Sequence, residues 1–483
     1  MATRGRLLSA VPTMAGMTQL APDRLLPADP GTRDIARRLY GATAQLPIIS
    51  PHGHVPPQWL ADDVPFADPT SLLISPDHYV FRLLHAQGVP LADLGVGGAA
   101  LDEQGSRRAW RLFCRHWGAF RGTSSKFWLE SVLADVFGVS ERPSAQTADA
   151  TYDQVAAALA TPEFRPRALA ERFRISVLAT TDDPVDGLEH HRTLQADPTF
   201  ATRVAPTFRP DRYLEAAQPD FPDLAKALGV AADVDTSTYG GYLAALEDRR
   251  RFFKANGGVS TDHSHVDVVT LTLEPTEAAR IYAAALVGEA TEAETTAFRR
   301  HMLVEMARMA TEDGLVMTLH PGVHRNHHTP TAERFGPDTG HDIPVGVEFT
   351  RGLQPLLERF GTAQGFQLIL FTLDETVFSR ELAPLAGFYP SVYIGAPWWF
   401  LDAPDAVRRW RSAVTDTAGF SRTSGFIDDT RAFCSIPARH DMSRRLDSGH
   451  LAKLVAEHRI DEDEAQETAV DLVSGRPQEV FKL

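Results

Sequence analysis

The sequence predicts an α/β fold, a (β/α)8 TIM-type barrel with a helical insertion after its first strand. Three observations predict it. Eight short apolar or β-branched runs recur along the chain, each ending in polar, potentially reactive residues. Helical stretches lie between most of them. No Gly-rich dinucleotide fingerprint follows the first run, which disfavours the alternative of an open doubly wound sheet. A length of 483 residues accommodates either one large barrel or roughly two to three smaller domains.

In chain order, residues before about Met17 read as a disordered extension. Pro12 interrupts a mildly apolar stretch there, which makes a poor signal peptide. The expected division is a flexible extension over 1–22 and a single barrel domain over 23–483. The stretch 29–40 reads as a turn leading into a helix, with Thr32 as N-cap. The first strand is the apolar run 46–50, which ends in Pro51-His-Gly-His54. From about 64 to 173 no comparable strand is found, and helical patterns cover 99–120, 124–137 and 152–160. Within that insertion, Trp110, Phe113, Trp117, Phe120, Trp128 and Leu129 are expected to form a satellite aromatic core.

Seven further runs complete the strands. They are 177–181 before Asp182-Asp183, 204–208 before Arg209, 258–261 before Asp262-His263, and 315–319 before His320. Then come 368–372 before Asp374, 392–395 before Trp398-Trp399, and 426–427 before Asp428-Asp429. The run 258–261 is poor by strand propensity. Helices are expected at 278–287, 292–310 and 347–360, and two more over 446–473 close the barrel. In such a fold chemistry sits at the C-terminal ends of the strands, where these polar residues fall.

A net charge of -15 argues against non-specific nucleic-acid binding and an anionic membrane surface. It leaves a small anionic substrate open, because a few local arginines can override a global field. Cys114 and Cys434 are the only cysteines, so there is no disulfide framework and no cysteine zinc site. That composition suits a reducing, cytoplasmic setting. No run is long and apolar enough to span a bilayer. A homo-oligomer is compatible with the sequence, which does not set the oligomeric state.

The candidate chemistry begins with metal ligation. On a strand His52 and His54 point the same way. Asp429, after the last strand, approaches them once the barrel closes. Two histidines and one carboxylate with an open position form a catalytic pattern for zinc or a similar divalent ion. The alternation of a strand makes Asp429, rather than Asp428, the ligand. His320 could be a further ligand or a polar contact. No lysine ends the fourth strand and no histidine the sixth, which favours one metal over a bridged pair.

Arg209, Arg325 and Arg431 each follow a candidate strand, and their planar forks suit a carboxylate. A surface salt bridge is the competing reading for each. His78 and Tyr79 are adjacent groups able to accept and donate protons, although such a tyrosine is more often core and such a histidine more often a satisfied surface residue. Trp398 and Trp399 could wall a sugar site or simply pack. Thr180 to Asp183 and Asp262-His263 look site-facing without an obvious role.

These residues carry a resemblance. From about Asp23 to its end the chain resembles the uronate (glucuronate) isomerases, a branch of the amidohydrolase superfamily. The markers are Asp23-Arg-Leu-Leu-Pro27, His52-Gly-His54, Pro76-Asp-His-Tyr79, Thr180-Thr-Asp-Asp-Pro184 and Pro206-Thr-Phe-Arg-Pro-Asp211. Asp262-His263, His320-Pro-Gly322 with Arg325-Asn326, Pro397-Trp-Trp-Phe400 and Asp429-Thr-Arg431 continue the series. The histidine pair is shared with many hydrolases; the longer motifs in this order are far more restrictive. Two positions depart from the commoner pattern. Ser50 stands where many members carry an acidic residue, and Arg325-Asn326 runs into His327-His328.

The resemblance implies an aldose–ketose isomerase, interconverting D-glucuronate with D-fructuronate and D-galacturonate with D-tagaturonate. It implies one divalent metal, zinc, on His52, His54 and Asp429, and no nucleotide cofactor. Arg209 would hold the substrate carboxylate, and His78, Tyr79 and Arg431 would surround the reacting carbons. The expected chemistry is proton transfer from C2 to C1 through an ene-diol, with Tyr79 assisted by His78 at C2. A tyrosine base needs a nearby cation to lower its pKa, and Arg431 is the expected one. His320, Arg325, Trp398 and Trp399 complete the expected substrate contacts. The competing readings are a mononuclear metal-dependent hydrolase on the same barrel and a non-catalytic sugar-binding protein.

Overall fold

The computed structural model describes residues 20–97 and 100–483. Most of the expected flexible extension, 1–22, therefore lies outside the described residues. The strands are β1 (Ile48–Ser50), β2 (Ile175–Ala179), β3 (Arg203–Ala205), β4 (Thr207–Phe208), β5 (Ser260–His263), β6 (Val316–Leu319), β7 (Val323–His324), β8 (Ile343–Pro344), β9 (Leu368–Leu370) and β10 (Val392–Ile394). Two parallel sheets run β1-β2-β3 and β4-β5-β6-β9-β10, and β7 and β8 form a short antiparallel pair. β3 and β4 are one run split at Pro206, which has no N–H to give a neighbour. A bridge between Asp182 and Phe208 joins the two sheets.

Beyond β10, Thr423 bridges to Ile394. The chain then returns to the first strand: Asp429 N donates to His52 O at 3.3 Å and His54 N donates to Thr430 O at 3.0 Å. Strands β1, β6, β9 and β10 are buried throughout, as expected of parallel strands covered on both faces.

Several expected strands differ from the observed ones: the run 177–181 is a strand over Ile175–Ala179, and β7 and β8 fall outside every expected run. Residues 426–427 carry no strand, because the backbone turns on either side of them. Gly425 has φ 76° and Asp429 φ 40°, and a side chain at Gly425 would collide with Pro477, 2.6 Å away. The weak run 258–261 does hold a strand, shifted two residues onward. Asp262 and His263 pair with Thr318 and Leu319 of β6, so the ladder overrides poor propensity.

Among the described residues no strand lies between β1 and β2. Helices fill the interval, including His78–His85, Glu103–Arg115, Ser124–Ser131 and Ala148–Leu159. Asp102 caps the helix Glu103–Arg115, accepting from Gly105 N at 2.6 Å. That helix buries Ala109, Trp110, Phe113 and Cys114 on one stripe. Trp110 donates to Thr151 Oγ1 at 3.1 Å, so its burial leaves no polar atom unpaired. The expected satellite core is not separate. Trp110, Phe113, Trp117, Phe120 and Leu129 share one apolar cluster with Ile48, Ile175 and Leu178 of β1 and β2. Trp128 packs elsewhere, with Tyr79. The insertion is thus seated on the strands that carry the site.

The first helix, Pro30–Thr43, is capped by Asp29 rather than Thr32: Asp29 accepts from Thr32 N at 2.8 Å. The carboxylate of Asp29 reaches the N3 amide, and Pro30 fits the first turn. Toward the C-terminus, Ile436–Ala456 and Glu462–Val470 are the two closing helices, the first starting earlier than expected. Asp441 on the former accepts from Tyr40 on the first helix, across 401 residues of sequence. Cys114 and Cys434 are both free and buried. Among the described residues no helix is long and apolar enough to cross a membrane.

Buried ionisable groups make stability depend on pH. Burial pushes His78, His263 and His450 down to about 3 and His191 down to about 4. Each is neutral in the fold but protonates in the unfolded chain below its ordinary value of 6.5, so each costs stability as pH falls through that window. Burial raises Asp182 and Asp402 to about 7, and these act in the opposite sense between 3.8 and 7. Four histidines outweigh two aspartates. The melting temperature is expected to fall by roughly 5 °C between pH 6.5 and 4.5. Scanning calorimetry across that range checks this, and a rise on acidification would show the carboxyl groups dominating.

Candidate active site

The strand ends and the loops beyond them surround a cleft of about 310 Å³, room for one small polar molecule. Every site residue expected from sequence lines it. At its floor, His52 and His54 follow β1 past Pro51. Their Nε2 atoms lie 3.3 and 2.9 Å from Asp429 Oδ1. Gly53 keeps the turn between them compact, since a side chain there would come within 3.3 Å of Asp428 Oδ1. Asp428 itself faces away, toward His440 Nε2 at 3.1 Å. Burial works against the Asp429 carboxylate, but the two histidines outweigh it and hold its pKa well below the ordinary range.

Two nitrogens and one oxygen at these separations suit a single divalent ion, whose ligands lie roughly 3 Å apart on a 2.0–2.2 Å sphere. His320 stands beside the group. Its ring stacks on His52 at 4.6 Å, and its Nδ1 lies 2.7 Å from Asp262 Oδ1. That leaves His320 Nε2 without a protein partner, free to meet a ligand. Of the residues that looked site-facing without a role, Asp262 lines the cleft. Asp182 instead binds Thr180 Oγ1 and Thr207 N beneath it.

One wall comes from the insertion. Asp77 caps the helix His78–His85, accepting from Tyr79 N at 2.8 Å, which sets His78 and Tyr79 in its first turn. Their rings stack at 4.6 Å. Burial, with Arg431 second, pushes His78 down to about 3, so its imidazole is neutral. Burial pushes the Tyr79 phenol well above its ordinary value. Neither His78 Nδ1 nor Tyr79 Oη has a protein hydrogen-bond partner.

The cation beside Tyr79 is Arg439, not Arg431. Its guanidinium carbon lies 4.7 Å from the Tyr79 ring centre and 3.7 Å from that of Trp128. Asp402 holds it at 3.0 Å, and both are fully buried. Arg431 pairs instead with Asp338, at 2.8 Å.

The three expected arginines do reach the cleft. Arg209 pairs with Asp211 at 2.9 Å and lies 3.4 Å from Asp262. Arg325 pairs with Asp342 at 3.0 Å, and its guanidinium carbon lies 5.1 Å from the Trp399 ring centre. Asp338 sits between Arg325 and Arg431. Burial works against the Asp338 carboxylate, but the two arginines, Arg431 foremost, outweigh it and hold its pKa down to about 2. Trp398 stands edge-on to His320 at 4.7 Å, and both tryptophans are buried. Asp338, Asp402 and Arg439 escaped sequence reasoning. Only the Gly-Pro-Asp turn at 336–338 carried any signal, and it marks a loop rather than a role.

A family model described as glucuronate isomerase matches residues 30–481. A uronate isomerase of Cutibacterium acnes is 54% identical over 464 residues, covering 96% of this chain and 98% of that protein. The crystal structure of glucuronate isomerase from Caulobacter crescentus superposes with a TM-score of 0.94 at 46% identity, covering 97% of both chains. That of the uronate isomerase from Thermotoga maritima gives 0.90 at 27% identity, covering 96% of this chain and 100% of that one.

Proposed function

Since the chain belongs to the glucuronate isomerase family, we propose that it interconverts D-glucuronate with D-fructuronate, and D-galacturonate with D-tagaturonate, in the cleft described above. The observation that carries this reading is the meeting of three elements in one cleft: the His52–His54–Asp429 donor set, the stacked His78–Tyr79 pair and three arginines. A hydrolase has no need of the second and third. We read the fold as a (β/α)8 barrel over 23–483, a reading supported by the hydrogen bonds that tie 429–430 back to 52–54. Two unpaired thiols are in keeping with a cytoplasmic setting.

The reaction removes a proton from C2 of the open-chain aldose and adds one to C1, while the hydroxyl hydrogen at O2 is lost and one is gained at O1. Arg209, with Asp211 fixing its fork, binds the substrate carboxylate. Arg325, His320, Trp398 and Trp399 orient the sugar hydroxyls and exclude water. Proton transfer at C2 falls to the His78–Tyr79 pair. The neutral imidazole supplies an acceptor, and Arg439 over the Tyr79 ring opposes the burial that keeps the phenol protonated. Asp429, ionised throughout the working range, accepts from a substrate hydroxyl, and Arg431 faces the developing oxyanion. A divalent ion on His52, His54 and Asp429, zinc by donor chemistry, supplies Lewis acidity toward a substrate oxygen.

Incubation with glucuronate in D2O, followed by NMR, tests the reading. Ketose formation with one solvent deuterium at C1 is expected. An unchanged sugar at high protein concentration would overturn it.

A further inference from the structure

Beside the cleft lies a second group of metal-type donors that the proposed reaction does not use. Asp211 follows β4, and His263 and His265 fall at the end of β5 and just beyond it. One atom from each lies within 4.8 Å of the others. Both imidazoles are buried. Each is anchored through one ring nitrogen: His263 Nε2 lies 3.2 Å from Thr261 Oγ1, and His265 Nδ1 lies 2.7 Å from Glu215 Oε1. The remaining nitrogens, His263 Nδ1 and His265 Nε2, have no hydrogen-bond partner. A buried polar atom left unpaired is costly, and here two occur together.

The spacing explains them. His265 Nε2 is 3.6 Å from Asp211 Oδ1, too far for a hydrogen bond. It is close to the separation of about 3.3 Å between two ligands of one tetrahedral ion. A carboxylate on the far nitrogen, as Glu215 provides, is how metal-binding histidines are oriented. We propose that Asp211, His263 and His265 form a second divalent-metal site, separate from His52, His54 and Asp429. Two imidazoles and one carboxylate oxygen suit a borderline transition ion such as zinc. Arg209 occupies the other oxygen of Asp211, Oδ2, at 2.9 Å, while Oδ1 accepts from Ser264 N at 3.0 Å. An ion here would share Asp211 with Arg209. Its part is to fix the arginine that meets the substrate.

Stripping the full-length protein with a chelator, then titrating Zn2+ by calorimetry and counting bound metal by mass spectrometry, tests this without reference to activity. Two ions per chain are expected in the natural protein, and one in His265→Ala. Glu215→Gln keeps every ligand and is expected to weaken the second binding event about 10- to 100-fold, which guards against a His265→Ala protein that fails to fold. A single ion in the natural protein, two in His265→Ala, or unchanged affinity in Glu215→Gln would each overturn the proposal.

Discussion

Asp429→Asn is expected to lower kcat for glucuronate isomerisation about 10³-fold while leaving the protein folded. The substitution keeps the shape of the side chain and removes its charge. Asparagine also tolerates the left-handed backbone at φ 40°, where alanine would add strain. What is lost is the carboxylate oxygen 2.9 and 3.3 Å from the two histidines, and with it the proton acceptor proposed for the substrate hydroxyl. Metal content should fall in parallel, because a neutral amide is a poor ligand for a divalent ion. Steady-state kinetics, bound-metal analysis and a melting curve on one preparation check all three. Activity within tenfold of the natural protein would remove Asp429 from the chemistry.

Tyr79→Phe should cost about 10²- to 10⁴-fold in kcat with KM changed little. The ring stays packed against His78 at 4.6 Å, Trp128 at 5.3 Å and the Arg439 guanidinium at 4.7 Å. The hydroxyl has no protein partner to lose, so stability should change little. Slow exchange of the C2 hydrogen with D2O should fall with turnover, since the same group serves both. If turnover survives, proton transfer at C2 belongs to His78 alone, and the guanidinium over the Tyr79 ring has a structural role only.

The sequence made the floor and rim of the cleft legible because strand ends announce themselves. An apolar run followed by His, Asp or Arg marks where a buried strand meets the site: His52, His54, Arg209, Asp262, His320 and Asp429 line one cleft, while Asp182, His263 and Asp374 do not. Legibility failed where position depended on a distant segment. Arg439 lies on a helix buried on nearly every side, so no periodicity tells which neighbour it faces. Asp402 comes from a loop, and its meaning depends on that arginine. Asp338 acquires its two arginine partners only when a loop folds over the mouth. The cap at Asp29 was misread for a smaller reason: Asp29 and Thr32 both suit an N-cap, and the proline at 30 decides between them. The aromatic residues of the insertion were read correctly as core, but not as continuous with β1 and β2, because contact between segments so far apart leaves no periodic trace.

The backbone hydrogen bonds between residues 52–54 and 429–430 have a consequence in time. A ribosome delivers His52 near the start of synthesis and Asp429 near its end, and the donor set joins them. Such a closure has high contact order, and its loop entropy must be overcome before the contacts repay it. The first helix and Asp441, 401 residues apart at Tyr40, are clasped by the same late event. A nascent chain that has not reached residue 429 holds the insertion, the arginine after the third strand and two of the three donors, and no complete site. A site built on His52, His54 and Asp429 would therefore be complete only in the finished molecule, once the segment around 429 docks beside the first strand.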